Sequence, residues 1–516
     1  MIAKVLSGTI IGVEGCLIDV EVDFSGGLPY FDIVGLPGSS VKEARERVKA
    51  AIKNSGYLMP PKRVTVNLAP ADIRKEGPSF DLPIAVGLLV SMGVISQEKI
   101  EGCFITGELS LDGAIRPISG VLPMVVGLKK AGAVSCIVPK ENAQEAILVD
   151  GITVFAPNSL AELVAHFSDE SLEPINRENL LDAEIDDNLA NLRDLADVKG
   201  QENAKRALEI AAAGGHNMLM LGPPGSGKTM LARCMTGITP DLSFDEAIEL
   251  SKIYSVAGVL KGGKNTASRM RPFRAPHHST SYAALVGGGR IPKPGEISLA
   301  HNGILFLDEL PEFARNALET MRQPMEAGEV TVSRAGVQPV TYPARFVLLA
   351  AMNPCPCGHH GAGNNKCTCT DGEIAKYLSK ISGPMLDRID IQVEVQSVRY
   401  SDMELDNVAK SGETSREVRE RVVTAAELQR ERYKGDGITR NAQLTPSQIQ
   451  KYCHIGNAER NMLKMAFESM GLSGRAYHKI LKVARTIADL AGRDIINVHD
   501  LAEAISYRNL DKKYWR

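Results

Sequence analysis

Residues 218–235 read MLMLGPPGSGKTMLARCM, an unbroken apolar run, a glycine-rich loop and then a run of good helix formers. That order predicts a buried strand, a tight loop and a helix. The loop is Gly222, Pro223, Pro224, Gly225, Ser226, Gly227, Lys228 and Thr229. Its glycines free backbone N–H groups to surround phosphates at a helix N-terminus. Lys228 then reaches the β and γ phosphates of ATP, and the Thr229 hydroxyl holds Mg²⁺. A chance match would lack either the strand or the helix, and here both are present.

Working outward, ILFLDE at 304–309 is an apolar strand that ends in two carboxylates. Beside a phosphate loop they divide the work: Asp308 binds Mg²⁺ and Glu309 orients or deprotonates the attacking water. A third run, FVLLAAMNP at 346–354, ends in Asn353, whose amide suits the water or the γ-phosphate. These runs show little alternation, as strands buried on both faces do. An α/β domain with a parallel sheet is expected from 195 to 400.

The chain has 516 residues, a prior of about three domains. Its net charge of −3 excludes a globally basic nucleic-acid binder, so any such contact must be local. The apolar stretch 83–95 falls short of the about 20 residues a membrane span needs, and the N-terminus lacks a signal-peptide pattern. A cytoplasmic protein with no membrane partner is expected. Residues 16–24 alternate as a half-buried strand, and 40–57 carry one apolar helical face. Further strands are expected at 63–68, 104–109, 135–138 and 152–155. Together they make a mixed α and β domain over 1–168. An acidic linker follows at 169–194, and helices over 415–433, 445–468, 473–491 and 497–507 fill a C-terminal domain at 401–516. Thr414 with Glu417 forms a capping box there.

The order of phosphate loop, acidic pair and polar strand-end residue resembles the AAA+ ATPases. That resemblance makes Arg388, in SGPMLDRID, an arginine finger that completes a neighbouring subunit's site. It makes Arg475, in GLSGRAYHKI, the second sensor arginine, and places Val198 and Gln201 beside the adenine. It also implies a closed ring, a homo-hexamer.

Residues 261–295 hold seven Lys or Arg and no Asp or Glu. They form either a solvated loop or a surface for phosphates, with Arg290 and Lys293 among the cations. RPFRAPHHSTS and VGGGRIPKPGEISLAHNG, inside this insert, resemble magnesium-chelatase-like proteins. Residues 328–346 read as a hairpin with Arg334 at its tip. By likeness to replicative helicases Arg334 contacts DNA; a hairpin that packs subunits together is the alternative. From GLPGSSVKEARERV to SGRAYHKILKVARTIADL, nearly the whole chain resembles the YifB/ComM family of magnesium-chelatase-like AAA+ ATPases. The resemblance implies an ATP-driven helicase acting on branched or single-stranded DNA. Its setting would be recombination during natural transformation, with recombination proteins as partners. Chaperone-like remodelling of a protein, as in magnesium chelatase, is the runner-up, and an adaptor whose first domain binds proteins is a third reading.

The first domain resembles the Lon protease domain, of S5-type α+β fold. KEGPSFDLPIAVGLL puts Ser79 at the nucleophile position, but Leu122 stands where the dyad lysine belongs. A serine without its base stays unactivated, so no peptidase activity is expected. Finally, Cys355, Cys357, Cys367 and Cys369 give a C-x-C-x9-C-x-C pattern suited to tetrahedral Zn²⁺, with His359 or His360 as a substitute ligand. Reduced structural thiols are the alternative.

Overall fold

The computed structural model describes residues 2–168, 171–176, 193–260, 269–289, 292–334, 337–361, 367–397 and 412–515. Most of the acidic linker, and Arg290 of the insert, lie outside them.

The first domain is built on a seven-stranded sheet. Its order is Tyr30–Val34, Arg63–Ala69, Glu14–Ser25, Ala3–Ile11, Cys103–Ile105, Ser135–Ile137 and Thr153–Phe155. Alternation decides the inward face: Ile18, Val20 and Val22 are fully buried. Against that face lies the helix Asp81–Ser91, buried on every side from Asp81 to Val90. The apolar stretch at 83–95 is therefore a core helix. Its one charge, Asp81, receives two hydrogen bonds from the Arg47 guanidinium, at 2.7 and 2.9 Å. The expected strand 104–109 is instead split into Cys103–Ile105 and Glu108–Leu109. At the break the Gly107 N–H leaves the sheet and donates to the Ser79 carbonyl at 3.1 Å.

The second sheet has five strands in the order Phe273–Arg274, Gly303–Leu307, Phe346–Met352, Met218–Leu221 and Ile391–Glu394, every neighbouring pair parallel. All of Met218–Leu221 and Gly303–Leu307 is buried, as the absence of alternation required. Parallel strands put all their C-terminal ends on one edge, where α/β proteins bind ligands. The phosphate loop, Asp308 and Asn353 all follow strand ends on that edge.

The C-terminal helices begin at Ser415–Arg432, capped by Thr414 and Glu417 as their spacing predicts. The expected helix 445–468 is broken into Pro446–Tyr452 and Asn457–Met470, with Gly456 at the second start. Gly474–Leu490 and Val498–Ser506 complete the group. Ala207, Leu208, Ala211, Leu231 and Met235 share one apolar cluster with Val422, Ile480, Ala484 and Leu501. These helices therefore close over a face of the second sheet's domain.

The first domain also meets the second. The Gly120 N–H donates to the Ser255 carbonyl at 3.0 Å, at the start of the helix Val121–Lys130. Leu122 is fully buried there, and its N–H lies 3.4 Å from the Ser255 hydroxyl. Where the Lon pattern carries a lysine, this chain has a docking contact.

Candidate ATP site and its surroundings

The phosphate loop is shaped by positions that exclude side chains. Gly225 and Gly227 have φ of 73° and 87°, in the left-handed region that favours glycine. A Cβ on Gly222 would sit 2.2 Å from the Val395 carbonyl oxygen. Lys228 opens the helix Lys228–Ile238 and is itself buried. Its ammonium donates to the carbonyls of Gly222 and Pro223, both at 2.8 Å, and to Asn353 Oδ1 at 3.3 Å. Burial pushes its pKa down, against the pull of Asp308 and Glu309 in the other direction. Three separated segments thus converge on one cation.

The Thr229 hydroxyl donates to Asp308 Oδ2 at 2.7 Å, joining the two groups expected to hold Mg²⁺. Glu309 has a left-handed backbone, φ 52°, and its N–H bonds to Asp308 Oδ1 at 2.9 Å. Its carboxylate meets a partner the sequence did not point to, His278 Nδ1 at 3.0 Å. The cradle fits ATP with Mg²⁺: backbone N–H groups and Lys228 for the phosphates, Thr229 and Asp308 for the metal, and Glu309 and Asn353 for the attacking water. Val198 is buried, and Gln201 reaches from a φ of 65° to the Gln396 carbonyl at 2.5 Å and the Ser226 carbonyl at 3.5 Å.

Arg388 and Arg475 are not brought to Lys228. They line a cavity of about 760 Å³ at the opposite edge of the sheet, beside Asn217, Gly303, Phe346 and Val347. Arg475 is exposed and pairs with Asp387 at 3.5 Å. Arg388 is only 9% exposed, paired with Glu326 and bonded to the Pro384 carbonyl. Further cations line the same cavity, including Arg271, Arg345, Arg440 and Lys482. In its wall Asp390 pairs with Lys479 at 3.1 Å. Burial pushes that carboxyl up, yet Lys479 and His216 together hold it well below the usual carboxylate range.

The four cysteines stand together, with their sulfurs all within 4.8 Å of one another. Observed separations are 3.3, 3.7 and 3.8 Å, against about 3.8 Å for the edge of a tetrahedron with Zn–S bonds of about 2.3 Å. The set therefore fits a tetrahedral metal, and neither His359 nor His360 belongs to it. Backbone N–H groups of His359 and Thr368 push the Cys357 thiol down to about 5, whereas burial and the neighbouring sulfurs push Cys367 and Cys369 up. The loop also abuts the ATP cradle: a Cβ on Gly358 would lie 2.5 Å from Pro224 Cδ.

The hairpin is present as Glu329–Arg334 and Val337–Pro343, with Val330 and Val332 buried and Thr331 and Ser333 exposed. The backbone of Arg334 pairs with Val337 at its end. Lys293 is exposed on a short strand pair next to it.

Fold and cradle define a class, an AAA+ ATPase of the magnesium-chelatase type. Profiles for the ChlI subunit of magnesium chelatase match residues 194–403 and 20–142, and one for its C-terminal part matches 412–508. The chain is 45% identical to competence protein ComM of Haemophilus influenzae, over 98% of this chain and 97% of that one. It is equally 45% identical to the uncharacterized protein YifB of Escherichia coli, over 97% and 96%. Lon protease 2 of Bacillus subtilis is 32% identical over 169 residues, 29% of this chain and 30% of that protein. The chain belongs to the YifB/ComM family of magnesium-chelatase-like AAA+ ATPases. Among the described residues no helix is long and apolar enough to cross a membrane.

Proposed function

We propose that this chain assembles into a cytoplasmic ring, six copies around a channel, that hydrolyses ATP between subunits and moves along DNA. The observation that carries the ring is the split of the machinery. Lys228, Asp308 and Glu309 lie at one edge of the sheet and Arg388 and Arg475 at the other, so a nucleotide meets both sets only across a contact between copies. A head-to-tail contact of that kind closes into a ring where its rotation divides the circle.

DNA as the track is supported by charge and by a relative's name. Residues 252–345 hold 12 Lys or Arg against 7 Asp or Glu, although the whole chain is net −3. Lys293, Arg290 and Arg334 would take the phosphates. The near relative named a competence protein favours incoming DNA, branched or single-stranded, as the substrate, and recombination proteins as partners. Zn²⁺ held by the four cysteines would brace the loop that touches Pro224 and Asn353. The magnesium chelatase profiles favour a second reading, ATP-driven remodelling of a protein partner.

The experiment is the ATPase rate with and without forked or four-way DNA for wild type, Glu309→Gln and Arg334→Ala. The motor predicts that DNA raises the wild-type rate and that Arg334→Ala lowers the factor by which it does so. No response of wild type to any DNA sinks it and turns attention to protein partners.

A further inference from the structure

The first domain reaches the hairpin. Its first two strands, Ala3–Ile11 and Glu14–Ser25, pair antiparallel from Ala3 with Val22 to Ile11 with Glu14, which leaves a two-residue loop, Gly12 and Val13. Glycine at the first loop position, with φ 64°, is what so tight a turn calls for. The loop ends against the hairpin's return strand, Val337–Pro343. A Cβ on Gly12 would lie 3.3 Å from both the Thr341 carbonyl oxygen and Val340 Cγ1. Ile10 and Val13 pack on the apolar cluster that holds Val330, Val332 and Tyr342 of the hairpin. Val340 lies mid-strand, three residues after Val337, whose backbone pairs with Arg334. The turn therefore touches the hairpin about 10 Å along the strand from that last pair.

The same turn is fixed from behind to the ATPase domain. Glu14, next to Val13, accepts from Lys252 Nζ at 3.4 Å, and Lys252 belongs to the helix Phe244–Ala257. Gly15 approaches the helix Val121–Lys130 so closely that a Cβ there would stand 2.2 Å from the Pro123 carbonyl oxygen. That helix in turn starts on Ser255, near the end of Phe244–Ala257. Residues 239–243 alone join Phe244–Ala257 to Lys228–Ile238, the helix that opens with the phosphate-loop lysine. Turn, helix and sheet of the first domain thus stand between the helices of the ATP site and the hairpin.

We propose that the Gly12–Val13 turn is the mount of the hairpin: it fixes the hairpin to the first domain, and the first domain ties it to the helices behind the phosphate loop. Gly12 and Val13 are positioning residues that act through the hairpin. The task needs a stiff sheet and a close approach but no protease lysine, so it gives the Lon-like fold a use in this chain. That the hairpin meets DNA rests on the motor reading above; the mounting of the hairpin does not.

The test compares full-length wild type, Gly12→Asp, Val13→Asp and Val13→Ile, the last keeping an apolar contact, by hydrogen exchange and by ATP hydrolysis with and without forked DNA. Either aspartate should speed exchange of the hairpin amides about tenfold, as weakening one packed contact does. The strand Arg63–Ala69 and the helix Asp81–Ser91 should exchange as in wild type, which reports an intact first domain. DNA-free kcat should stay within about twofold of wild type, and the factor by which DNA raises it should fall about threefold or more. Val13→Ile should match wild type in all three. Unchanged hairpin exchange in the aspartate variants overturns the proposal, as does a DNA-free rate that falls as far as the stimulated one, or an isoleucine variant that behaves like aspartate. If Gly12→Asp loses first-domain protection, Val13→Asp, which leaves the glycine of the turn in place, decides. If wild type does not respond to DNA, the motor reading fails, and the mount is judged on hairpin exchange.

Discussion

At the residue scale, the proposed ATP site divides into groups that would bind and a group that would react. Lys228 is desolvated among carbonyls and next to Asn353, so removing it takes away the main charge that phosphates meet. Lys228→Ala should lose nucleotide binding outright in a fluorescence titration. Glu309→Gln keeps the shape and loses the base; hydrolysis should fall by about 10² or more while ATP binding persists. Gly222→Ala would force a methyl against the Val395 carbonyl and should resemble Lys228→Ala. These residues were legible because their chemistry is local: eight consecutive residues specify the loop, and Asp308 and Glu309 follow an unmistakable apolar strand. His278 was not legible. Its contact with Glu309 depends on how the insert folds over the strand end, and no spacing rule connects the two. The burial of Arg388 was equally hidden, since a sequence shows the arginine but not Glu326 beside it.

At the element scale, one loop, one helix and two breaks show where pattern stops carrying information. The cysteine spacing pointed to four sulfurs that do stand together, but not that Gly358 lies against Pro224. Metal content of anaerobically purified protein should be about one zinc per chain, and Cys357→Ser should lower both the zinc and the ATPase rate. A full rate at zero zinc would remove the link between the loop and the cradle. The helix Val121–Lys130 has a second role that the Lon resemblance did not suggest, because Leu122 is buried against Ser255. No cleavage of casein is expected; cleavage abolished by Ser79→Ala would contradict this. The strand break at Gly107 and the helix break before Gly456 are not visible in the sequence because periodicity continues through a bend while the hydrogen bonds do not.

At the scale of the whole molecule, the C-terminal helices share their core with the ATPase sheet, and a buried ion pair sits at the junction. Asp390 pairs with Lys479 of the helix Gly474–Leu490, two residues from Arg388. Because its folded pKa is depressed, its contribution is present above the unfolded value of about 4 and is lost as pH falls below that. Asp390→Asn should cost about 3 kcal/mol near pH 7, since it leaves Lys479 buried without its partner. Its loss of stability on acidification should also be shallower than wild type's, as followed by circular dichroism. The segregated charge belongs to this scale too: near-neutrality of the chain conceals a basic insert and an acidic linker.

If each ATP site is completed by another copy, as proposed, mixing two inactive variants restores activity. Lys228→Ala alone and the double variant Arg388→Ala, Arg475→Ala alone should each be inactive, for different reasons. Mixed in equal amounts, they should recover ATP hydrolysis, because some contacts then join an intact phosphate loop to intact arginines. Mixtures that stay inactive at every ratio would contradict the account.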